Sequence, residues 1–364
     1  MARRTLGCSS EVPKRGRGDA MLSRIAENLY WIGRYVERAE NTARLLNVNY
    51  LALVQAPLVT GGPEIVTEQW APLLAISGTE APFRTMGVRA DAGTVPHWLA
   101  VHADNPGSIR GCLVAARHNA LGLRDRISLE MWEALNAAYL SMCIDLEAVI
   151  EEDALSDYCM EALRFSHAFF GIADATLPRD EGWSFLQAGR FLERADNTLR
   201  TLGVRYRESR GEKPVAEGIA THRARALLKS QSALEAYRKR NQSDLHPSSI
   251  ASFLLLDPTF PRSVRFSLRA LRDVLRGMAH GDSQRVDEPA RQAGRLTALL
   301  AYAPSASVIL EDESPGIEVM LGDIAAPSDA IAQRYFGRDE GVSERGEGAD
   351  PEAAMGRDEQ ADVR

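Results

Sequence analysis

The sequence lacks the short motifs that mark most nucleotide-, metal- and nucleophile-dependent enzymes. It contains no G-x-x-x-x-G-K-[ST] phosphate loop, no G-x-G-x-x-G dinucleotide motif, no G-x-S-x-G nucleophile elbow and no H-E-x-x-H zinc motif. No glutamate stands three residues before any of the seven histidines, which excludes the Glu-x-x-His pairs of a ferritin-like di-iron bundle. We therefore predict no metal site, no cofactor and no catalytic motif of a recognised kind.

Cysteines, long apolar runs and excess positive charge are also scarce. The four cysteines (Cys8, Cys112, Cys143 and Cys159) form no C-x-x-C pair, which favours reduced thiols over a disulfide framework or a zinc site. No apolar run approaches the ~20 residues that cross a bilayer, and no apolar segment follows the basic N-terminus. The net charge of −7 gives no basic surface for nucleic acid or an anionic membrane. These features predict a soluble cytoplasmic protein.

Alternating strand patterns of convincing length are absent, whereas helical spacing is strong. From Leu22 to Leu53 apolar residues recur at alternating intervals of three and four, which predicts one long helix over about 22–55. A second long helix is predicted over about 180–208. Further helices are expected near 105–126, 128–144, 154–172, 222–241, 247–256, 262–280 and 286–303. One or two short helices joined by loops are expected at 57–105, and irregular chain along the surface at 304–327. The predicted fold is all-α, an antiparallel helical bundle with long helices.

The ends of the chain differ from its middle. Residues 1–20 have no helical period, so we predict a disordered N-terminal extension with Met21 as the natural start. Residues 336–364 are acidic and poor in apolar side chains, which predicts a disordered tail. Between them, residues 21–335 are expected to form one helical domain.

The sequence contains one polar helical segment twice. GRYVERAENTARLL at Gly33–Leu46 returns as GRFLERADNTLRTL at Gly189–Leu202, 156 positions later, and 11 of 18 residues are identical when both windows extend to Tyr50 and Tyr206. The apolar residues of the two windows are often only similar, as packing allows. The polar face opposite them is identical in type. Its members are Arg34, Glu37, Arg38 and Asn41 in the first copy and Arg190, Glu193, Arg194 and Asn197 in the second.

Three interpretations of this duplicated polar face stay open. It can be a buried ion-pair network that joins two layers of the bundle. It can line a cleft in which arginines bind an anionic group. It can also be a solvated surface with salt bridges along each helix.

A second set of arginines could extend an anion-binding region. Arg110, Arg117 and Arg124 recur every seven residues and are expected on one helix stripe. Arg262 and Arg265 follow Pro261 near a predicted helix start, where backbone N–H groups attract anions. These five are secondary anion-site candidates.

Several separated segments resemble the bacterial alpha-E family of α-helical domains with a Glu-Arg motif. They are MLSRIAENLYWIGRYVERAENTARLL, GWSFLQAGRFLERADNTLRTL, NPGSIRGCLVAARHNALGLRDRISLEMWEALN at 105–136 and FLLLDPTFPRSVRF at 253–266. The resemblance covers about residues 21–335. The family's Glu-Arg motif falls on Glu37-Arg38 and Glu193-Arg194.

The resemblance implies a helical accessory protein of an ATP-grasp-type amide or peptide ligase, acting in peptide synthesis or modification. Members are fused or gene-linked to such ligases, often beside transglutaminase-like peptidases, so either is an expected partner. The alternative hypothesis is an enzyme in which Glu37 or Glu193 acts as an acid–base group while arginines hold a carboxylate or phosphate substrate.

Overall fold

A computed structural model describes residues 17–55, 70–144, 152–209, 217–241, 245–278, 287–310 and 316–337. Every regular element in these ranges is a helix. The predicted all-α fold is therefore confirmed.

The helices are numbered α1 to α16 in chain order. The first part of the chain provides α1 (Arg17–Gln55), α2 (Ala71–Ser77), α3 (Glu80–Thr85), α4 (Thr94–Ala100), α5 (Ile109–Leu121), α6 (Leu129–Cys143) and α7 (Glu152–Thr176). The second part provides α8 (Glu181–Ser209), α9 (Glu217–Ser230), α10 (Leu234–Asn241), α11 (Pro247–Leu256), α12 (Val264–Met278), α13 (Glu288–Tyr302), α14 (Ser307–Leu310), α15 (Ile317–Asp323) and α16 (Ala326–Tyr335).

The apolar spacing that predicted α1 and α8 corresponds to buried side chains. Val36, Ala39, Ala43 and Leu46 of α1 are fully buried, and so are the corresponding apolar residues of α8 from Ala188 to Leu202. Burying aliphatic side chains stabilises a fold by roughly 1.5–3 kcal/mol for each large one. Helix α1 lies at the centre, where it packs against α8, α5 and α7, while α8 also packs against α12.

Helices α1 and α8 run in the same direction, and the predicted antiparallel bundle did not specify the direction of this pair. Their contacts advance together along both helices, from Tyr30 beside Gly189 to Arg38 beside Glu193. The chain segments between them, α2 to α7, are long enough to return the chain to the same end of the domain. Short connections would have required antiparallel neighbours.

Several predicted boundaries also change. Helix α1 begins at Arg17, so residues 17–20 are helical rather than part of an extension, while residues 1–16 and 338–364 lie outside the described residues. The helix predicted over 222–241 is two helices, because Ser232 adopts a left-handed conformation with φ of 50° between them. The region 304–327 contains α14 and α15, although its prolines and glycines predicted irregular chain.

Candidate functional site

Two glycines bring the duplicated polar faces together. A Cβ atom at Gly33 would overlap the carbonyl oxygen of Leu186, and a Cβ at Gly189 would overlap that of Tyr30. Only glycine allows helix backbones to approach this closely. The polar side chains one turn further along each helix therefore face the other helix and not solvent.

Glu193 of α8 accepts hydrogen bonds from two arginines of α1. Arg38 donates from Nε to Oε1 at 2.6 Å and from Nη2 to Oε2 at 3.0 Å, which forms a bidentate pair. Arg34 Nε donates to Oε2 at 2.7 Å. Both oxygens of this carboxylate, whose side chain is 7% exposed, are satisfied by charged donors.

Glu37 of α1 is bound in the same way by arginines of α8. Arg194 donates from Nε to Oε1 at 2.8 Å and from Nη2 to Oε2 at 2.7 Å. Arg190 Nε lies 3.7 Å from Oε2, which is an ion pair without a hydrogen bond. A further arginine, Arg262 at the start of α12, approaches Oε1 with its Nη1 at 3.3 Å. Glu37 is fully buried.

The two sets of contacts have the same pattern: replacing each residue by its counterpart 156 positions away turns one set into the other. Glu37 binds Arg194 and Glu193 binds Arg38, while Arg190 and Arg34 take the flanking positions. We call these two sets the Glu37 half and the Glu193 half of the network. The surface interpretation of the duplicated face is excluded, because both glutamates and Arg194 are buried.

Glu40 connects the Glu37 half to His167, whose side chain is exposed. Its carboxylate accepts hydrogen bonds from Arg44 and Arg262, and Nε2 of His167 on α7 lies 3.3 Å away. The matching pair in the other half is Asp196 with Arg200, joined at 3.0 Å. The Glu40 side chain is 2% exposed, whereas that of His167 is 62% exposed.

The pairing with arginines keeps the carboxylates of Glu193 and Glu40 ionised. Burial would raise the pKa of Glu193, but Arg38 and Arg34 outweigh burial and lower it to about 2. The pKa of Glu40 is also well below its usual range, because Arg262, His167 and Arg44 outweigh the opposing effect of burial. Burial would lower the pKa of Arg34 and Arg38, yet the charge of Glu193 raises both.

Arg190 departs from this balance. Burial and the neighbouring charge of Arg194 lower the pKa of Arg190 to about 10, although Glu37, Glu40 and Asp174 oppose the shift. Its guanidinium lies 3.9 Å above the ring of Phe170. The positive charge of Arg190 is thus less compensated than that of its counterpart Arg34.

Arg262 is the secondary candidate that joins the network. Its Nη1 donates to Asn41 Oδ1 at 2.8 Å, and it shares Glu37 with Arg194 of α8. The sequence contains a signal for this position. The segments Pro261–Arg265 and Pro106–Arg110 both have proline first, serine third, a β-branched residue fourth and arginine fifth. Gly107 stands where Arg262 would be.

The other secondary candidates have different environments. Arg117 donates to Asn136 Oδ1 at 2.9 Å and lies over Tyr139, and Arg124 lies over Trp132. Helix α5 ends at Leu121, so Arg124 is not on the predicted helix stripe. The remaining two are placed as follows: Arg110 has a buried Nε without a hydrogen-bond partner in the described residues, and Arg265 donates to the Leu256 carbonyl at 3.3 Å.

The sequence prediction of this site did not include Glu40, Arg44 and His167. Glu40 and Arg44 continue the spacing of Glu37 and Asn41 on one face of α1, and that spacing could have identified them. No sequence pattern connects His167 to this face, because it is on α7 and meets Glu40 only through tertiary packing.

The three cysteines among the described residues take no part in hydrogen-bonded pairs of this network. Cys112, Cys143 and Cys159 are buried, and burial raises the pKa of each thiol to about 12. They remain thiols at neutral pH and are unreactive as nucleophiles. In the described ranges, no helix is both long enough and apolar enough to cross a membrane, and no three His, Cys, Asp or Glu side chains are grouped to hold a metal ion.

These features define a class of all-helical domain in which two parallel helices each carry a Glu-Arg pair bound by the other. The chain belongs to the Alpha-E family, described as a predicted alpha-helical domain with a conserved ER motif, and the match covers residues 21–336. The two ER dipeptides of the match region are Glu37-Arg38 and Glu193-Arg194.

Similar curated proteins come from mycobacteria. Uncharacterized proteins of Mycobacterium bovis and of Mycobacterium tuberculosis strain CDC 1551 are each 28% identical over 285 residues, and one of Mycobacterium tuberculosis strain H37Rv is 28% identical over 281 residues. Each alignment covers 73% of this chain and 31% of the relative, so the chain spans about a third of the length of these relatives. No solved structure is detectably similar to the chain.

Proposed function

We propose that this chain is a helical accessory protein of an ATP-grasp-type amide or peptide ligase, and that it acts in peptide synthesis or modification. The observation that carries the partnership is the length of the relatives, and the ligase class rests on the family resemblance. The region similar to this chain makes up only 31% of each mycobacterial protein, so the domain occurs there beside a larger stretch of other sequence. A domain that is joined to another in some organisms often binds a separate partner in others.

The Glu-Arg network fits a structural role within this accessory domain. Its carboxylates are buried, and their charges are satisfied by arginines of the neighbouring helix. A buried ion-pair network of this kind specifies how two helices are aligned and is costly to break. We infer that it fixes the shape of the domain that the partner binds.

The acid–base alternative has less physical support. A general base works best with a pKa near the operating pH. The pKa of Glu193 is about 2, because Arg38 and Arg34 stabilise its ionised form. To accept a proton, Glu193 would first have to lose its bidentate hydrogen bonds with Arg38.

The partnership is tested by co-expression with the ATP-grasp ligase encoded nearest to this gene. We expect the two proteins to co-elute from a size-exclusion column, and ATP turnover by the ligase to change when the chain is added. An ATP-grasp enzyme from elsewhere in the genome is the control. Separate elution together with unchanged turnover would refute the proposal.

A further inference from the structure

Several buried hydrogen-bond donors beside Glu37 and Glu40 have no partner among the described residues. They are Asn41 Nδ2, Arg44 Nε and Arg190 Nε. A buried donor left without an acceptor destabilises the fold. We call these three residues the donor cluster.

The orientation of Asn41 is determined by its neighbour. Arg262 Nη1 donates to Oδ1 at 2.8 Å, and a guanidinium cannot accept a hydrogen bond, so Oδ1 must face Arg262. The Nδ2 donor therefore faces away from Arg262. Asn41 is only 4% exposed, so bulk water does not satisfy this donor.

Positive charge exceeds negative charge in the same place. Four guanidinium groups (Arg44, Arg190, Arg194 and Arg262) surround two carboxylates (Glu37 and Glu40). Asp174 is a further acid at this place; its Oδ2 lies 3.9 Å from Arg190 Nη1 and its side chain is 49% exposed. Burial and neighbouring arginines also lower the pKa of Arg44 and Arg190, which indicates that these cations lack full compensation.

We propose that the donor cluster binds an oxyanion, the carboxylate or phosphate group of a small ligand. Such a group offers two or more acceptor oxygens to Asn41, Arg44 and Arg190, and guanidinium groups bind planar and tetrahedral oxyanions strongly. The ligand reaches the cluster from the side of α7. His167, which lies 3.5 Å from Arg44, is largely exposed there.

The Glu193 half supplies an internal control. Asn197, Arg200 and Arg34 occupy the positions 156 residues away from Asn41, Arg44 and Arg190, and none of them carries a buried donor without a partner in the described part of the chain. Arg34 donates to Glu193 at 2.7 Å, whereas Arg190 Nε remains 3.7 Å from Glu37. The proposed site therefore belongs to one half alone.

Calorimetric titration of the full chain tests the proposal, with inorganic phosphate and succinate as separate probes in Tris-chloride buffer at constant ionic strength. We expect saturable binding at one site. Binding of phosphate alone assigns a phosphate ligand, binding of succinate alone assigns a carboxylate, and binding of both supports a general oxyanion site. If neither probe binds beyond the chloride control, the proposal is wrong.

Matched variants locate the site. Asn41→Asp keeps the acceptor for Arg262 but places a negative charge at the cluster, and should weaken binding at least tenfold. Asn197→Asp, the equivalent change in the other half, should leave binding unchanged. Equal effects of the two changes would overturn the proposal.

Arg190→Gln is a second variant in case Asn41→Asp does not fold, and it too should weaken binding at least tenfold. Unchanged binding in a folded Arg190→Gln protein would contradict the site. A rise in the melting temperature of the unaltered chain with phosphate or succinate is an independent measurement. The isolated chain is used throughout, so failure here does not affect the ligase partnership, and the reverse also holds.

Discussion

The two halves of the Glu-Arg network contain the same residue types but bind their carboxylates differently. Glu193 is satisfied by two arginines of a single helix, Arg34 and Arg38. Glu37 is bound by Arg194 of α8 and also by Arg262, which lies just before α12, and Arg190 stays beyond hydrogen-bond distance. In the Glu193 half, Gly107 takes the sequence position that corresponds to Arg262.

This difference shows how a duplicated motif acquires two roles. The identical residues determine which carboxylate meets which bidentate arginine. Arg262, which lies just before α12, then adds a positive charge to the Glu37 half, where Asn41, Arg44 and Arg190 carry donors without partners in the described residues. Similar sequences can therefore form a closed ion-pair set in one half and a cation-rich region in the other.

The largest effect is expected from the two glycines that both halves share. Gly33→Ala and Gly189→Ala should each lower the free energy of unfolding by about 4–5 kcal/mol, because the new Cβ overlaps a backbone carbonyl that cannot move aside. Urea unfolding followed by circular dichroism measures the change. Gly171→Ala is the control, since no atom lies within 4 Å of its added Cβ, and it should be neutral or stabilising by up to about 1 kcal/mol. Wild-type stability in either glycine variant would show that α1 and α8 do not approach this closely.

The next largest effect separates the two halves. Glu37→Gln should cost about 3–5 kcal/mol, because it leaves Arg194 and Arg262 buried without their anion. Glu193→Gln should cost less, because Arg38 is 32% exposed and can be hydrated.

Equilibrium unfolding of both variants measures this difference. The control is Glu80→Gln, which removes an exposed pair with Arg84 and should change stability by less than about 1 kcal/mol. An equal loss in Glu37→Gln and Glu193→Gln would show that the two halves are energetically equivalent.

The pH dependence of stability should follow the ion pair of Glu193. Its pKa is about 2 in the folded chain against 4.5 for an ordinary glutamate, so the pair stabilises the fold fully above about pH 4.5. This contribution, about 3 kcal/mol, is lost as the pH falls toward 2. Unfolding measured between pH 5 and pH 2.5 tests it, and the slope should be smaller in Glu193→Gln. The same slope in both proteins would mean that Glu193 does not contribute.

The smallest effect concerns two capping serines that occupy matching positions. Ser108 Oγ accepts from Gly111 N and Ser263 Oγ accepts from Phe266 N, each at 3.0 Å, at the starts of α5 and α12. Ser108→Ala and Ser263→Ala should each cost about 1 kcal/mol, as measured by thermal unfolding. A clear difference between them would show that the two helix starts are not equivalent.

Much of the secondary structure could be predicted from the sequence. The intervals of three and four from Leu22 onward predict α1, and the buried side chains from Leu29 to Leu46 confirm the apolar face. The break at Ser232 and the short helices α14 and α15 could not be predicted, because no periodic signal is long enough there. Their conformation is set by contacts with other helices.

The candidate site was predicted in part. Comparison of the two windows identified Arg34, Glu37, Arg38 and their counterparts, because identical polar residues exceed what packing requires. The comparison did not indicate that Arg262 and His167 contact the Glu37 half of the network and not the Glu193 half. These residues are remote in sequence, and their contacts with Glu40 depend on how α12 and α7 pack against α1.

The sequence by itself determined that the chain is helical, that one polar helical face occurs twice, and that glycine precedes each copy's arginine. These properties depend on local spacing and residue type. Only the tertiary structure decided that α1 and α8 run in the same direction and that each glutamate is bound by arginines of the other helix. It also decided that Asn41, Arg44 and Arg190 carry donors without partners among the residues that the structure describes. The physical reason is that ion pairs between residues more than 150 positions apart depend on helix direction and separation, and close glycine packing fixes both.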